Sequence, residues 1–142
     1  MADVVITVGP LTFEANFERE WAPLTCAAFE RLLPFEGSLI QARWSGEAAW
    51  VPLGDLSLGV PVENPMSEPE PGQVLLYPGG TSETEILVPY GKTSFACRSG
   101  ALEGNHFLTI VAGHGELAEL GRRVVWEGAQ RVSVRRAGPN SA

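Results

Sequence analysis

Glycine and proline recur along the whole chain and leave only short stretches for helices and strands. The 142 residues include 16 Gly and 11 Pro, more than the usual share, which indicates many turns. This pattern favours a strand-rich fold over a helical bundle. Hydrophobic residues at 44% and charged residues at 19% are typical of a globular protein. We therefore expect one domain over residues 1–142 with one core, because a chain of this length buries roughly 68–70% of its unfolded surface.

The charge balance argues against nucleic acid and anionic membranes as partners. Ten Lys and Arg residues against 17 Asp and Glu residues give a net charge of −7, and a surface of this sign repels polyanions. The amino-terminal stretch lacks the regions of a signal peptide, and no apolar run approaches the roughly 18 residues of a membrane helix. Cys26 and Cys97 fit free thiols, Cys97 as a small buried hydrophobic residue. We predict a cytoplasmic protein without cofactor, and the sequence leaves open whether it forms a homo-oligomer.

Alternating and β-branched segments predict about eight strands. Residues 4–8 and 13–18 form an opening hairpin in this interpretation, and residues 131–135 form the last strand. Between them, further strands are predicted over residues 38–44, 48–51, 73–77, 85–88, 94–98 and 107–112. Prolines at positions 61, 65, 69 and 71 make residues 53–72 a long loop, because neither a helix nor a central strand tolerates them.

Two helices are predicted, one near each end of the chain. The first begins after Ala22 with a proline in its first turn and ends at Pro34. The second begins near Glu116, where Leu117, Leu120 and Val124 follow at helical spacing. Many short strands with only two helices predict a mainly β fold, a closed or nearly closed barrel whose ends the helices cover.

Three stretches resemble the cyclophilins, in the same order along the chain. They are "PLTCAAFERLLPFEGSLIQARW" (23–44), "GQVLLYPGGTSETEIL" (72–87) and "ALEGNHFLTIVAG" (101–113). The wording "RWSGEAAW", "YPGGTSETEIL" and "GNHF" is also similar to a bacterial family of uncharacterised proteins assigned to the cyclophilin-like superfamily. The resemblance spans residues 20–135 and implies a cyclophilin-like barrel of unknown function. It carries over no reaction, because a fold does not imply a function.

The cyclophilin resemblance is incomplete at the residues that isomerise X-Pro bonds, which lie on the outer face of the barrel in that family. The gap-free match to the catalytic arginine falls on Ala42, and Arg43 follows one position later. A slip of one residue changes the face of a strand, so the register of this strand decides the role of Arg43. Residues 44–50 contain no Phe, Met or Gln, and Ala101 stands where the resemblance expects a tryptophan. We therefore expect no strong prolyl isomerase activity.

Polar and aromatic residues at the predicted loops form a candidate ligand groove. Its predicted members are Arg43, Trp50, Tyr77, Ser82, Glu83, Glu85, Asn105 and His106. In this hypothesis Arg43 pairs with a carboxylate or carbonyl, His106 exchanges a proton, and the two glutamates hold nitrogen donors. The expected ligand is a small polar metabolite, and catalysis is left open.

Several of these residues also have simpler interpretations. Glu83 and Glu85 lie two apart, so an extended segment points both to one side, about 6.5–7 Å apart. They are either a solvated strand edge or, if enclosed with His106, a pair for acid–base work or a two-carboxylate, one-histidine metal site. We do not predict a metal. The turn before Ser82, with Gly79 and Gly80, is either an ordinary hairpin loop or a set of backbone donors for a carboxylate.

Two other functions compete with ligand binding. The chain could be an interaction or assembly module that uses an exposed sheet edge or the acidic loop 62–71. Residual prolyl isomerase activity is the third alternative.

Overall fold

The computed structural model of the protein describes residues 2–138. Within this range the strands are β1 (Val4–Val8), β2 (Leu11–Phe17), β3 (Phe35–Gln41), β4 (Gly46–Gly54), β5 (Pro65–Met66), β6 (Gln73–Tyr77), β7 (Thr84–Thr93), β8 (Ala96–Cys97), β9 (Gly100–Ala101), β10 (Gly104–Ala112) and β11 (Gln130–Arg136). The helices are α1 (Pro23–Glu30) and α2 (Leu117–Trp126), with a 3₁₀ turn, His114–Glu116, directly before α2. Across the described range, neither helix is both long and apolar enough to cross a membrane.

Eight of these strands form a closed antiparallel barrel. Their order around it is β1, β11, β3, β4, β7, β6, β10 and β2, and the pairing of β2 with β10 completes the circle. The short β5 pairs with β10, and β8 and β9 form a separate two-stranded hairpin. The predicted mainly β barrel with two helices is thus confirmed.

The interior of the barrel is filled by apolar side chains from the strands and from both helices. Phe29 of α1 packs edge-on against Phe107 of β10, with 5.2 Å between the ring centroids. Leu117, Leu120 and Val124 of α2 belong to the same buried cluster. Both helices therefore cover the barrel with apolar faces, since exposing these side chains to water would cost roughly 1.5–3 kcal/mol each.

A second apolar cluster lies on the outer face of the same sheet. Its fully or nearly buried members are Ala42, Ala48, Leu75, Tyr77, Leu87, Phe95 and Leu102. Phe95 precedes the β8–β9 hairpin and packs edge-on against Tyr77, with 5.8 Å between the ring centroids. The segment that carries this hairpin therefore covers part of the outer face of β4, β6 and β7.

Several elements differ in their bounds from the sequence prediction: β4, β7 and β10 are longer than predicted, and the short β5 lies within the predicted loop 53–72. The strand predicted over 38–44 runs from Phe35 to Gln41, because the chain turns after Ala42, whose N–H bonds to Ala48 O at 2.9 Å. The strand predicted over 94–98 is only β8 and stays outside the barrel. Helix α1 ends at Glu30, and the following turn residues lead into Pro34, which disfavours helical geometry before it.

Candidate functional site

A groove opens on the outer face of the barrel beside the second apolar cluster. Its volume is about 260 Å³, just below the range of roughly 300–1,000 Å³ usual for ligand pockets. The turn between β3 and β4, the outer faces of β4 and β7, the β8–β9 hairpin and the loop before β7 form its walls. The lining residues are Ala42, Arg43, Trp44, Ser45, Trp50, Thr81, Ser82, Glu83, Glu85, Ala96, Cys97, Arg98 and Ser99.

Glu85 is a buried acidic residue in the wall of this groove. Side chains alternate along β7, so Glu85 and Leu87 point outward while Ile86 points into the barrel core. Glu85 is only 6% exposed, and its carboxyl group has no hydrogen-bond donor or cation as a partner among residues 2–138. Burial, and secondarily the nearby Glu83 carboxylate, raises the pKa of Glu85 to about 7. The group is therefore partly protonated near neutral pH.

Two arginines also line the groove. Arg43 follows β3, and its guanidinium lies 5.9 Å from the centroid of the Trp44 ring. Arg98 lies in the turn of the β8–β9 hairpin, which Ser45 joins to the β3–β4 turn through bonds of its hydroxyl to Ala96 N and Ala96 O at 3.1 and 3.2 Å. Among the residues that the structure describes, neither arginine has an acidic partner. Both cations are therefore available to a ligand.

The loop before β7 is a tight turn fixed by three hydrogen bonds. Thr81 N donates to the Tyr77 hydroxyl at 3.0 Å, and Gly80 N donates to Ser82 O at 3.0 Å. Gly54 N donates to Glu83 Oε1 at 3.0 Å. The left-handed Gly80, with φ of 137°, is needed for the turn. Because its N–H is used within the turn, the hairpin interpretation of this loop is favoured over a backbone anion cradle.

Five of the eight predicted ligand residues meet in the groove, namely Arg43, Trp50, Ser82, Glu83 and Glu85. Tyr77 is buried beneath it, where its ring packs on Phe95 and its hydroxyl holds the loop. It supports the groove rather than lining it.

Asn105 does not reach the groove. Its side chain is buried and fully hydrogen-bonded: Nδ2 donates to Thr25 Oγ1 and Pro61 O at 3.0 and 2.8 Å, and Oδ1 accepts from Glu63 N at 3.1 Å. Asn105 thus fastens the 55–64 segment to α1. Its role is structural.

His106, also predicted as a groove residue, lies away from the groove, so the structure does not support the interpretation in which Glu83 and Glu85 are enclosed with it. It pairs with Leu75 of β6, so two strand spacings, about 10 Å, separate it from β7. Its Nε2 lies 2.7 Å from Thr109 Oγ1, which donates to Glu18 Oε2 at 2.6 Å. Burial lowers the pKa of His106.

Metal-ligating geometry is absent at these residues. Within residues 2–138, no three His, Cys, Asp or Glu side chains are grouped as a metal ion requires. The alternative of a site with two carboxylates and one histidine is therefore not supported by the positions of Glu83, Glu85 and His106.

The sequence reasoning missed the groove residues contributed by the β8–β9 hairpin. Cys97 is half-buried in the groove wall, and Arg98 and Ser99 form the exposed hairpin turn. The sequence pattern had predicted residues 94–98 as a strand of the barrel. The Ser99-Gly100 pair, a turn signal directly after a two-residue strand, could have indicated the hairpin.

A comparison with protein families assigns the chain to one family. A family described as "Protein of unknown function (DUF3830)" matches residues 4–135. The chain belongs to this family. No curated protein matches the DUF3830 sequence significantly. The predicted bacterial origin and membership of the cyclophilin-like superfamily stay predictions.

Solved structures share the barrel of this DUF3830 chain. McbB, solved in complex with tryptophan, has a TM-score of 0.72 and 22% identity, and the match covers 98% of this chain and 46% of McbB. The hypothetical protein AF2241 from Archaeoglobus fulgidus has a TM-score of 0.61 and 22% identity, over 96% of this chain and 95% of AF2241. The chain thus spans less than half the length of McbB. At this level of identity both comparisons show a shared fold.

Proposed function

We propose that this protein binds a small polar metabolite in the groove beside Glu85, as a cytoplasmic bacterial protein of the cyclophilin-like type. The resemblance to cyclophilins supports the location, because their site also lies on the outer face of the barrel. The closed barrel weakens the alternative of an interaction module, because closure leaves the barrel strands of residues 2–138 without a long free edge.

The observation that carries this proposal is Glu85, an acidic residue of the groove wall whose carboxyl group has no hydrogen-bond donor or cation as a partner within residues 2–138. Acidic residues are rarely buried to this extent in folded proteins unless they are paired. Glu85 is 6% exposed, has no such partner among residues 2–138, and lines a cavity of about 260 Å³. A nitrogen donor on a ligand would satisfy it.

The other groove residues indicate what such a ligand carries. Arg43 suits a carboxylate or carbonyl, and the aromatic side chain of Trp50 offers a flat apolar surface. McbB was solved with tryptophan, which has a nitrogen donor, a carboxylate and a flat ring. L-tryptophan is therefore among the first compounds to test.

Cys97 provides a direct test, because its thiol lines the same groove. Cys26 is fully buried in the core, and burial raises the pKa of its thiol to about 11, so it serves as an unreactive internal reference. The rate of Cys97 modification by a disulfide reagent is measured with and without each compound of a metabolite library. A ligand of the groove slows the modification.

Variants then assign the protection to the groove. Protection is expected to be lost in Glu85→Ala and Arg43→Ala, and to persist in Glu103→Ala and Arg31→Ala, which change exposed residues outside the groove. If no compound protects Cys97, or if protection is the same in all four variants, the proposal is wrong.

A further inference from the structure

We infer that the ligand is an amino carboxylate whose two charges lie at opposite ends of the molecule, with a flat apolar spacer between them. This inference rests on the proposed function and specifies the ligand class. It assigns the ammonium group to Glu85, the carboxylate to Arg43, and the spacer to Trp50.

The strand registers order these three residues along the outer face of β4. Ala42 N bonds to Ala48 O, so the turn that carries Arg43 begins beside Ala48. Pro52 pairs with Glu85. Because residues 48, 50 and 52 share the outer face, Trp50 lies between the two ends, and the ends are about 13 Å apart along the strand.

The groove is electrically polarised along this line. At one end lies Arg43, in the β3–β4 turn, where the hydroxyl of Ser45 bonds to Ala96 of the β8–β9 hairpin; the turn of this hairpin carries Arg98, the second cation that lines the groove. At the other end, Glu83 accepts a hydrogen bond from Gly54 N, next to Glu85. Arg43 thus lies at one end of the groove and both carboxyl groups at the other.

The charges do not neutralise each other within the protein. Glu85 has no ion pair with either arginine, and Arg43 lies over the ring of Trp44 instead. A ligand with a single charge would satisfy one end and leave the other unpaired. An α-amino acid carries both charges on one carbon and so reaches only one end at a time.

Four compounds of similar size separate these possibilities. 4-(Aminomethyl)benzoate carries an ammonium group and a carboxylate at opposite ends of a ring. 4-Methylbenzylamine has only the ammonium group, 4-methylbenzoate has only the carboxylate, and L-phenylalanine has both charges at one end. Their apparent dissociation constants are measured from Cys97 protection at pH 8, where Glu85, with a pKa of about 7, is mostly ionised.

We expect 4-(aminomethyl)benzoate to bind at least about tenfold more tightly than each of the other three, since each additional charged hydrogen bond contributes roughly that factor. In Glu85→Gln the ammonium group loses its ionic partner and keeps at most a neutral acceptor, so the compound loses most of its advantage over 4-methylbenzoate. In the double variant Arg43→Ala, Arg98→Ala it binds no better than 4-methylbenzylamine. Glu103→Gln and Arg31→Ala keep the parent order.

The inference is overturned if the tightest binder among this series and the library carries one charge, or carries both charged groups on one carbon as an α-amino acid does. In that case a ligand that protects Cys97 in a Glu85-dependent manner still upholds the proposed function. If no compound protects Cys97, the proposed function fails as well, so the two failures are distinguishable.

Discussion

Glu85 combines two properties that oppose each other, burial of a titratable group and access to a groove. Burial disfavours the ionised carboxylate and raises its pKa from 4.5 to about 7, with a smaller contribution from Glu83. Without ligand, Glu85 therefore lowers the free energy of unfolding once the pH exceeds the pKa that this residue has in the unfolded chain. A residue that reduces stability in this way is typical of a functional site.

Glu85→Gln is expected to stabilise the protein at neutral and higher pH. Because the folded-state pKa lies above that of the unfolded chain, the free energy of unfolding of the parent falls as the pH rises from 4.5 to about 7 and then levels off. This interval corresponds to at most roughly 3–4 kcal/mol. Glutamine does not ionise, so the free energy of unfolding of the variant does not fall over this pH interval through residue 85.

The measurement is urea unfolding of parent and variant at pH values from 4 to 8. The difference in free energy of unfolding should be small at pH 4 and reach its maximum above pH 7, in favour of the variant. Glu103→Gln, at an exposed position, serves as the matched control. A difference that does not change with pH would show that Glu85 titrates alike in the folded and unfolded chain.

At the level of single residues, the sequence predicted the groove better where side chains alternate on a strand than where they depend on distant partners. The spacing of Glu83 and Glu85 was visible in the sequence, whereas Arg43 was predicted within the strand 38–44 and lies after the end of β3. The three hydrogen bonds of Asn105 come from residues 61–63 and Thr25, far along the chain. No local pattern could separate such a structural asparagine from a ligand residue.

Helix α1 receives its amino-terminal cap from a remote loop. Ala22 at the N-cap position has no side chain that could accept a hydrogen bond, and Thr25 N instead donates to Glu63 Oε1 at 2.5 Å. A carboxylate there also interacts favourably with the helix dipole. The loop around Glu63 thus stabilises the helix.

Glu63→Ala should therefore lower the free energy of unfolding by about 1 kcal/mol, the usual effect of removing an N-cap. Urea unfolding measures the loss, and faster hydrogen exchange at the Thr25 amide locates it. Glu68→Ala changes an exposed residue of the same loop and should have little effect. Equal stabilities of the two variants would mean that the cap contributes nothing.

The contact of α2 with the barrel depends on a glycine. A Cβ atom at Gly121 would overlap Cε1 of the Tyr90 ring, whose hydroxyl donates to Gln41 Oε1 at 2.6 Å. Glycine costs the helix about 1 kcal/mol relative to alanine. The Tyr90 ring leaves no room for a Cβ atom at this position, which explains why a glycine is found there despite this effect on the helix.

We expect Gly121→Ala to destabilise the protein by about 1 kcal/mol net, because overpacking costs roughly 1–3 kcal/mol and outweighs the gain in helix propensity. A double-mutant cycle in urea tests the cause. In the Tyr90→Ala background the same substitution should become stabilising. If it is equally destabilising there, contact with the Tyr90 ring is not the reason.

Elements were predicted well where local pattern and tertiary pairing agree. Strand β6 has the predicted bounds, and β11 extends the predicted strand by one residue at each end. The segment 94–98 has a strand-like composition, but Phe95 is buried against Tyr77 in the outer cluster, and the segment leaves the barrel. Its placement depends on which face of the barrel offers an apolar surface, which the sequence of the segment does not specify.

The molecule as a whole has apolar clusters on both faces of one closed sheet. The inner cluster contains the buried side chains of both helices, and the outer cluster lies beneath the β8–β9 segment. The groove adjoins the outer cluster, so its shape depends on the hairpin and loops, while the barrel itself is held by the inner cluster. Ligand-dependent changes are therefore expected at the rim, not in the barrel.

The two cysteines report separately on these two parts. Cys97 lies half-buried in the groove wall, whereas Cys26 is fully buried among the inner side chains, with its Sγ 3.3 Å from Phe107 O. In the native protein Cys97 should react with a thiol reagent quickly and Cys26 only through opening of the barrel. In a Cys97→Ser variant, the free energy of the opening that exposes Cys26 should equal the free energy of global unfolding and show the same dependence on denaturant. If Cys26 reacts with a much weaker denaturant dependence, α1 separates from the barrel locally, and the helix is not part of the cooperative core.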